Sequence, residues 1–182
     1  MREVTPVKKD DLFVVLNNFN AKFDFPVHFH PEYELNLVIN SKGKRIVGDS
    51  IIEYGSPDLV FIGPNTPHAW TGNNNHDNSH VITIQFNGDV LGEKMLIKNF
   101  AQPLKNLLDK SKRGILFQHE TIKIVQKRIE ILSEIQGFDA FISLLSILYD
   151  LSISRNQFLL ASQGYVGQFD LNQSQRISQV VN

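Results

Sequence analysis

The spacing of the apolar residues changes near Gly88, and this change constrains the fold more than any other feature of the sequence. Before Gly88, apolar residues occur in short runs, often alternating with polar ones, as is typical of strands. Residues that favour turns and loops separate these runs at 41–44, 48–50, 55–58 and 72–79. The predicted strands are LFVVL, HFH, ELNLVIN, KRIVG, SIIEY, LVFIG and HVITIQF. Their number and spacing predict a β-sandwich or barrel.

After Gly88, apolar residues recur three and four positions apart, which indicates helices. Pro103 suits the first turn of one of them, because its fixed backbone angle is already helical. Gly137 is the predicted end of another, because glycine is common just past a helix. We predict helices over about 92–99, 103–110, 119–137 and 138–154.

The sequence therefore predicts three regions: a barrel over 1–90, a helical region over 91–162, and a linker with the start of a further helix over 163–182. The helix at 138–154 is apolar around much of its circumference. Such a helix buries two faces, and either its own chain or a partner can cover the second one. We expect a homodimer formed through helices 119–154.

Composition excludes several kinds of function. The 182 residues include no cysteine, which excludes disulfides, thiolate metal sites and cysteine nucleophiles. A net charge of −1 argues against binding nucleic acid through a broad basic surface. We expect a cytoplasmic protein without a membrane partner, because no apolar run is long enough for a membrane span and the N-terminus lacks the apolar core of a signal peptide.

Histidines and one glutamate suggest a metal site. His28, His30 and Glu34 have the same parity, so in an extended segment their side chains share one face. His68 follows a turn after the strand LVFIG, on what we expect to be a neighbouring strand. Three imidazoles and one carboxylate suit a divalent cation such as Zn, Mn, Fe or Ni. His68 has a second interpretation, in which it orients its own loop by bonding a backbone carbonyl.

The same residues are candidates for binding a small molecule. Trp70 shares parity with His68, and its ring is either a pocket wall that stacks on a sugar or an ordinary part of the barrel core. Glu32 shares parity with Glu34, and either carboxylate can accept a hydrogen bond from a polyol. The predicted effector-binding residues are His28, His30, Glu32, Glu34, His68 and Trp70.

These motifs resemble those of the cupin family. His28, His30 and Glu34 stand in the H-x-H-x3-E order of its first motif, although no glycine opens that motif here. Gly55, Pro64 and His68 resemble the second motif, in a variant order, IGPNTPH. This variant, together with HPEYEL, VGDS, SKRGILF and SQRISQVV, resembles the sensor region of AraC-type transcription regulators.

The resemblance implies a mainly β plus α fold: a cupin barrel, that is a double-stranded β-helix or jelly-roll, followed by a helical dimerisation subdomain. It implies a region that senses a small-molecule effector, a sugar being one candidate, and is not an enzyme. In that family, DNA is bound through C-terminal helix-turn-helix units, so we expect no DNA binding by these 182 residues. The alternative is a metal-dependent cupin enzyme, such as a dioxygenase or isomerase, with His28, His30, Glu34 and His68 as its ligands.

Overall fold

Two antiparallel sheets and four helices make up the computed structural model, which describes residues 1–72 and 78–165. The first seven strands are β1 (Phe13–Phe19), β2 (Tyr33–Ile39), β3 (Gly43–Val47), β4 (Ser50–Tyr54), β5 (Asp58–Ile62), β6 (His68–Gly72) and β7 (His80–Phe86). The helices are α1 (Glu93–Leu96), α2 (Gln102–Ser111), α3 (His119–Leu132) and α4 (Gly137–Ile153). Two short strands, β8 (Ile115–Phe117) and β9 (Gln157–Leu159), lie between and after the helices.

The larger sheet has the strand order β1-β7-β2-β5-β8-β9, and the smaller one has the order β4-β3-β6. Side chains alternate between the two faces of each strand. On β2, Leu35 and Leu37 pack in the main core with the helices, whereas Val38 packs with Val47 and Trp70 of the smaller sheet. The larger sheet thus separates an apolar helical layer on one face from the smaller sheet on the other.

The helical layer follows the predicted apolar pattern. The predicted stripe on α3, formed by Ile122, Val125, Ile129 and Leu132, is buried. The prediction that α3 reaches Gly137 was wrong. The helix ends at Leu132, and Gly137, at a φ of 67°, is the first residue of α4. Glycine accepts positive φ without steric cost, so it serves the start of α4 as readily as the end of α3.

The predicted strands before Gly88 are confirmed, except that HFH forms only isolated bridges, one between His28 and His68 and one between Phe29 and Arg2. The strands β8 and β9 were not predicted. They join the larger sheet beside β5, so the segment after residue 90 contributes to that sheet as well as to the helical layer.

Two predicted segments lie partly outside the described residues. These are the loop at 72–79, of which 73–77 are not described, and the linker at 163–182, of which 166–182 are not described. In the part of the chain that the structure describes, no helix is long and apolar enough to cross a membrane.

Candidate functional site

A cavity of about 280 Å³ opens between the two sheets. One wall is the inner face of the larger sheet, where Glu34, Asn36, Thr83 and Gln85 lie on neighbouring strands. The indole of Trp70 lines the opposite wall. Sheet interiors are normally apolar, so this set of polar side chains indicates a place built to hold a polar ligand.

Four predicted metal ligands converge at one end of this cavity. His28, His30, Glu34 and His68 each present a ligand atom, and these atoms lie within 4.8 Å of one another. The Nε2 atom of His30 is 3.1 Å from Oε2 of Glu34, and Nε2 of His68 is 3.5 Å from Oε1 of the same carboxylate. All four residues are buried. The structure brings the four together, while their occupancy by a metal stays a prediction.

Backbone carbonyls fix the orientation of two of the imidazoles. His28 Nδ1 lies 3.0 Å from the carbonyl oxygen of Pro26, and His68 Nδ1 lies 2.8 Å from that of Thr66. A carbonyl only accepts hydrogen bonds, so each Nδ1 carries the proton and each neutral ring turns the lone pair of Nε2 toward the cluster. Histidines that ligate metals are usually held in this way.

Further polar groups support the cluster. Gln85 donates a hydrogen bond of 3.0 Å from Nε2 to Oε2 of Glu34. Glu32 lies on the other side of His30, with its Oε2 atom 3.4 Å from His30 Nδ1. Among the described residues, Nε2 of His68 and Oε2 of Glu32 are buried without a hydrogen-bond partner. Such atoms are costly to leave unpaired, and a cation inside the cluster would satisfy the nitrogen. The donor set therefore fits a divalent cation.

Protonation of the metal-free cluster is uneven. Burial, reinforced by the charge of His68, lowers the pKa of His28 to about 3, so His28 is neutral near pH 7. Burial disfavours charge on His68 and Glu34 and is the largest single influence on the pKa of each. The attraction between the two, together with the hydrogen bonds of His68 to the Thr66 carbonyl and of His30 to Glu34, outweighs burial. The pKa of His68 is therefore raised, and the pKa of Glu34 lies well below its usual value. A cation that binds here therefore competes with a proton for Nε2 of His68.

A second buried polar group holds Trp70. Its Nε1 atom donates a hydrogen bond of 2.9 Å to Oδ2 of Asp58, while Oδ1 of Asp58 accepts one from Arg45. All three side chains are buried. Because Asp58 fixes the edge of the indole, the face of the ring is held in place along the cavity wall.

The predicted effector-binding residues have different positions. His28, Glu34 and Trp70 line the cavity. His30 and His68 lie in the cluster behind Glu34, and Glu32 lies behind His30. Asn36, Thr83 and Gln85 were not predicted as site residues, although the strands ELNLVIN and HVITIQF have polar residues at these alternate positions. Those polar positions point inward because the helices cover the opposite face of the same sheet, which the local pattern does not reveal.

A larger groove lies on the outside of the molecule, between β1 and the junction of α3 with α4. It measures about 580 Å³ and is lined mainly by apolar residues, including Leu12, Phe13 and Phe138. The acidic residues at its rim, Asp10 and Asp11, have no basic or imidazole partner in the groove. We favour the cavity between the sheets as the functional site, because buried hydrogen-bonding groups from neighbouring strands converge there, whereas the groove is lined mainly by apolar residues.

Comparison with known proteins gives a match in structure but not in sequence. No protein-family model matches the sequence, and no curated protein matches it. Similar solved structures include ToxT from Vibrio cholerae bound to an unsaturated fatty acid (TM-score 0.53, 13% identity, 96% of this chain and 65% of that chain). Others are ToxT bound to a methylnaphthalenyl butenoic acid (0.51, 15%, 94% and 65%) and ToxT from Vibrio cholerae in a further structure at 1.65 Å resolution (0.50, 16%, 94% and 65%).

ToxT is an AraC-family regulator whose N-terminal effector-binding domain has a cupin-like fold. The resemblance to the N-terminal region of AraC-type regulators is thus confirmed at the level of the fold. This chain spans 65% of the length of those ToxT structures.

Proposed function

We propose that this chain is the effector-sensing region of an AraC-type transcription regulator, with the effector bound in the cavity between the sheets. The observation that carries the proposal is the cavity itself, in which buried amide, carboxylate and indole groups and the half-buried hydroxyl of Thr83 face about 280 Å³ of space. A fold shared with an AraC-family regulator supports the same function. DNA binding would belong to a separate helix-turn-helix domain.

The polarity of the cavity favours a sugar or a related polyol as the effector. Asn36, Thr83 and Gln85 offer hydrogen bonds to hydroxyl groups, and the face of Trp70 offers a stacking surface for the apolar side of a sugar ring. The ToxT ligands are an unsaturated fatty acid and an aryl butenoic acid. Oε1 of Gln85 is buried without a hydrogen-bond partner among the described residues, and a long apolar chain would leave it unpaired, at a cost of about 1–3 kcal/mol.

We also propose that His28, His30, Glu34 and His68 hold one divalent cation. Fixed lone pairs on two imidazoles and the unpaired Nε2 atom of His68 support this. A cation bound there would act as a Lewis acid and orient an effector oxygen. The side chains themselves would shape the site, with Gln85 holding Glu34 and Glu32 flanking His30.

Strand β5 offers a route from the cavity to the helices. Its residue Asp58 fixes Trp70 on the cavity side, and its Phe61 lies in register with Ile115 of β8. The strand β8 leads directly into α3. An effector that binds one conformation of these strands and helices more tightly than another would shift the population of the regulator toward that conformation.

Exposed apolar side chains on the helices support a homodimer. Phe138, Ile142, Tyr149 and Ile153 are 74%, 51%, 46% and 51% exposed, and they follow one side of α4. Ile124 and Ile131 of α3 are 63% and 41% exposed. Apolar surface of this kind is stabilised when a partner covers it. A second copy of the chain offers the same surface, which is the usual arrangement in a two-fold dimer.

The enzyme alternative would use the same four candidate ligands. We favour a regulator because the solved structures that share the fold are those of transcription regulators. Glu32, a carboxylate that an enzyme could use as a general base, lies behind His30 rather than on the cavity.

The test is a titration of the protein with monosaccharides, polyols and an unsaturated fatty acid, followed by fluorescence. Trp70 is the only tryptophan of the chain, so its emission reports directly on the cavity. We expect at least one sugar or polyol to bind saturably. Substitution Thr83→Val removes a hydroxyl from the cavity wall at nearly constant volume and should weaken binding about fivefold. The matched control, Thr71→Val, lies outside the cavity lining and should leave affinity unchanged.

Two results would count against this proposal. Binding of the fatty acid alone would contradict the effector class. Equal effects of Thr83→Val and Thr71→Val would place the ligand outside the cavity.

A further inference from the structure

Residue Glu3 lies beside the histidine cluster although it is far from it in sequence. Residues 1–3 pair with the segment that carries the first two histidines. The Phe29 amide donates to the Met1 carbonyl at 3.0 Å, and the Glu3 amide donates to the Phe29 carbonyl at 2.9 Å. This pairing places the Glu3 side chain at the edge of the cavity, where it forms part of the lining.

The Glu3 carboxylate points into the cluster. Its Oε2 atom lies 3.3 Å from Nε2 of His28 and 4.0 Å from Nε2 of His30. This oxygen is buried and has no hydrogen-bond partner among the described residues. The Nδ1–H of His28 is already directed at the Pro26 carbonyl, so a neutral His28 turns a lone pair toward the oxygen. Two electron-rich atoms held this close repel each other unless a positive charge lies between them.

The shorter of the two Glu3 separations agrees with ligands that share one cation. Nitrogen and oxygen ligands each lie about 2.0–2.2 Å from zinc. Two such ligands at angles of about 90–110° are therefore roughly 3.0–3.5 Å apart. The distance from Glu3 Oε2 to His28 Nε2, 3.3 Å, is in this range, as is the 3.1 Å from His30 Nε2 to Glu34 Oε2.

We propose that Glu3 is a fifth ligand of the cation held by His28, His30, Glu34 and His68. The inference rests on the metal site of the proposed function and extends it to the N-terminal segment. A cation bound by both parts would tie residues 1–3 to the cluster. The backbone pairing at Phe29 would then be more stable in the presence of metal than in its absence.

The experiment compares zinc binding by the wild type with that of Glu3→Gln, in protein without an N-terminal extension. Glutamine keeps the size of the side chain and removes its charge. Competition with a chromophoric chelator should give one zinc per wild-type chain and an affinity at least about tenfold lower for Glu3→Gln. The matched control is Glu120→Gln, which removes the same charge from a side chain that is 71% exposed on α3. It should bind zinc as the wild type does.

Hydrogen exchange gives a second readout that does not depend on affinity. Zinc should slow the exchange of the Glu3 and Phe29 amides in the wild type and have little effect on them in Glu3→Gln. A wild type that binds no zinc would overturn this inference together with the metal site. Zinc binding that needs His68, but is unchanged in affinity and amide exchange by Glu3→Gln, would overturn the role of Glu3 alone. Neither result decides whether an effector binds in the cavity, which the fluorescence titration tests separately.

Discussion

Substitution of Asp58 should destabilise the protein strongly, because its buried carboxylate accepts hydrogen bonds from both Arg45 and Trp70. The guanidinium of Arg45 is only 3% exposed, so water cannot replace the carboxylate. Substitution Asp58→Leu leaves that charge buried and unpaired. Breaking a buried pair in this way costs about 3–5 kcal/mol. We expect a loss of that size in the free energy of unfolding, measured by urea denaturation.

The double variant Arg45→Met/Asp58→Leu distinguishes the cost of a buried, unpaired charge from the cost of changed packing. It leaves no buried charge, and replacing both partners of such a pair is often nearly neutral. We therefore expect it to be more stable than Asp58→Leu alone. The control is Glu120→Leu, which removes an exposed ion pair with Lys123 and should cost less than about 1 kcal/mol. The reasoning is refuted if Asp58→Leu costs as little as this control, or if the double variant is no more stable than Asp58→Leu.

Three other predictions concern pH, backbone strain and assembly. Below pH 6.5 the unfolded form of His28 takes up a proton, whereas the folded form, with a pKa of about 3, does not. The free energy of unfolding of the metal-free protein should therefore fall by up to about 1.4 kcal/mol per pH unit between pH 6 and 5. Urea denaturation at several pH values should show a weaker dependence of this free energy on pH for His28→Gln. Gly114 and Gly137 have similar positive φ values of 63° and 67°, but an added Cβ would lie 2.4 Å from a side-chain carbon only at Gly114. Thermal unfolding should therefore show a larger decrease in melting temperature for Gly114→Ala than for Gly137→Ala. Ile142→Glu should give a monomer in analytical ultracentrifugation. The control Ile52→Glu should stay dimeric, because Ile52 is 50% exposed and Ile142 is 51% exposed but only Ile142 lies on α4. If both variants are dimeric, α4 is not the interface.

The sequence predicted those features that depend on local pattern. Alternation in ELNLVIN and HVITIQF identified strands β2 and β7, and the spacing of Ile122, Val125 and Ile129 identified the buried face of α3. The four candidate metal ligands were found because their types and spacing are chemically specific. That they meet in space could not be derived from spacing alone.

The features that were missed depend on long-range contacts. The strand β8 has three residues, and it is held by pairing with β5 rather than by its own pattern. Glu3 reaches the cluster only because residues 1–3 pair with the segment around Phe29. Thr83 and Gln85 point into a cavity because helices cover the opposite face of their sheet. Such contacts cannot be predicted from the residues that are adjacent to these positions in the sequence.

The most direct test of the central claim is a transcription assay in cells. The chain would be fused to a DNA-binding domain that represses a reporter only as a dimer. We expect repression in the absence of effector to depend on Ile142, and a ligand identified by Trp70 fluorescence to change the level of repression. With Thr83→Val, about fivefold more ligand should be needed for the same change. Repression that no cavity ligand alters, or a response that Thr83→Val leaves unchanged, would contradict the claim that occupancy of this cavity controls the regulator.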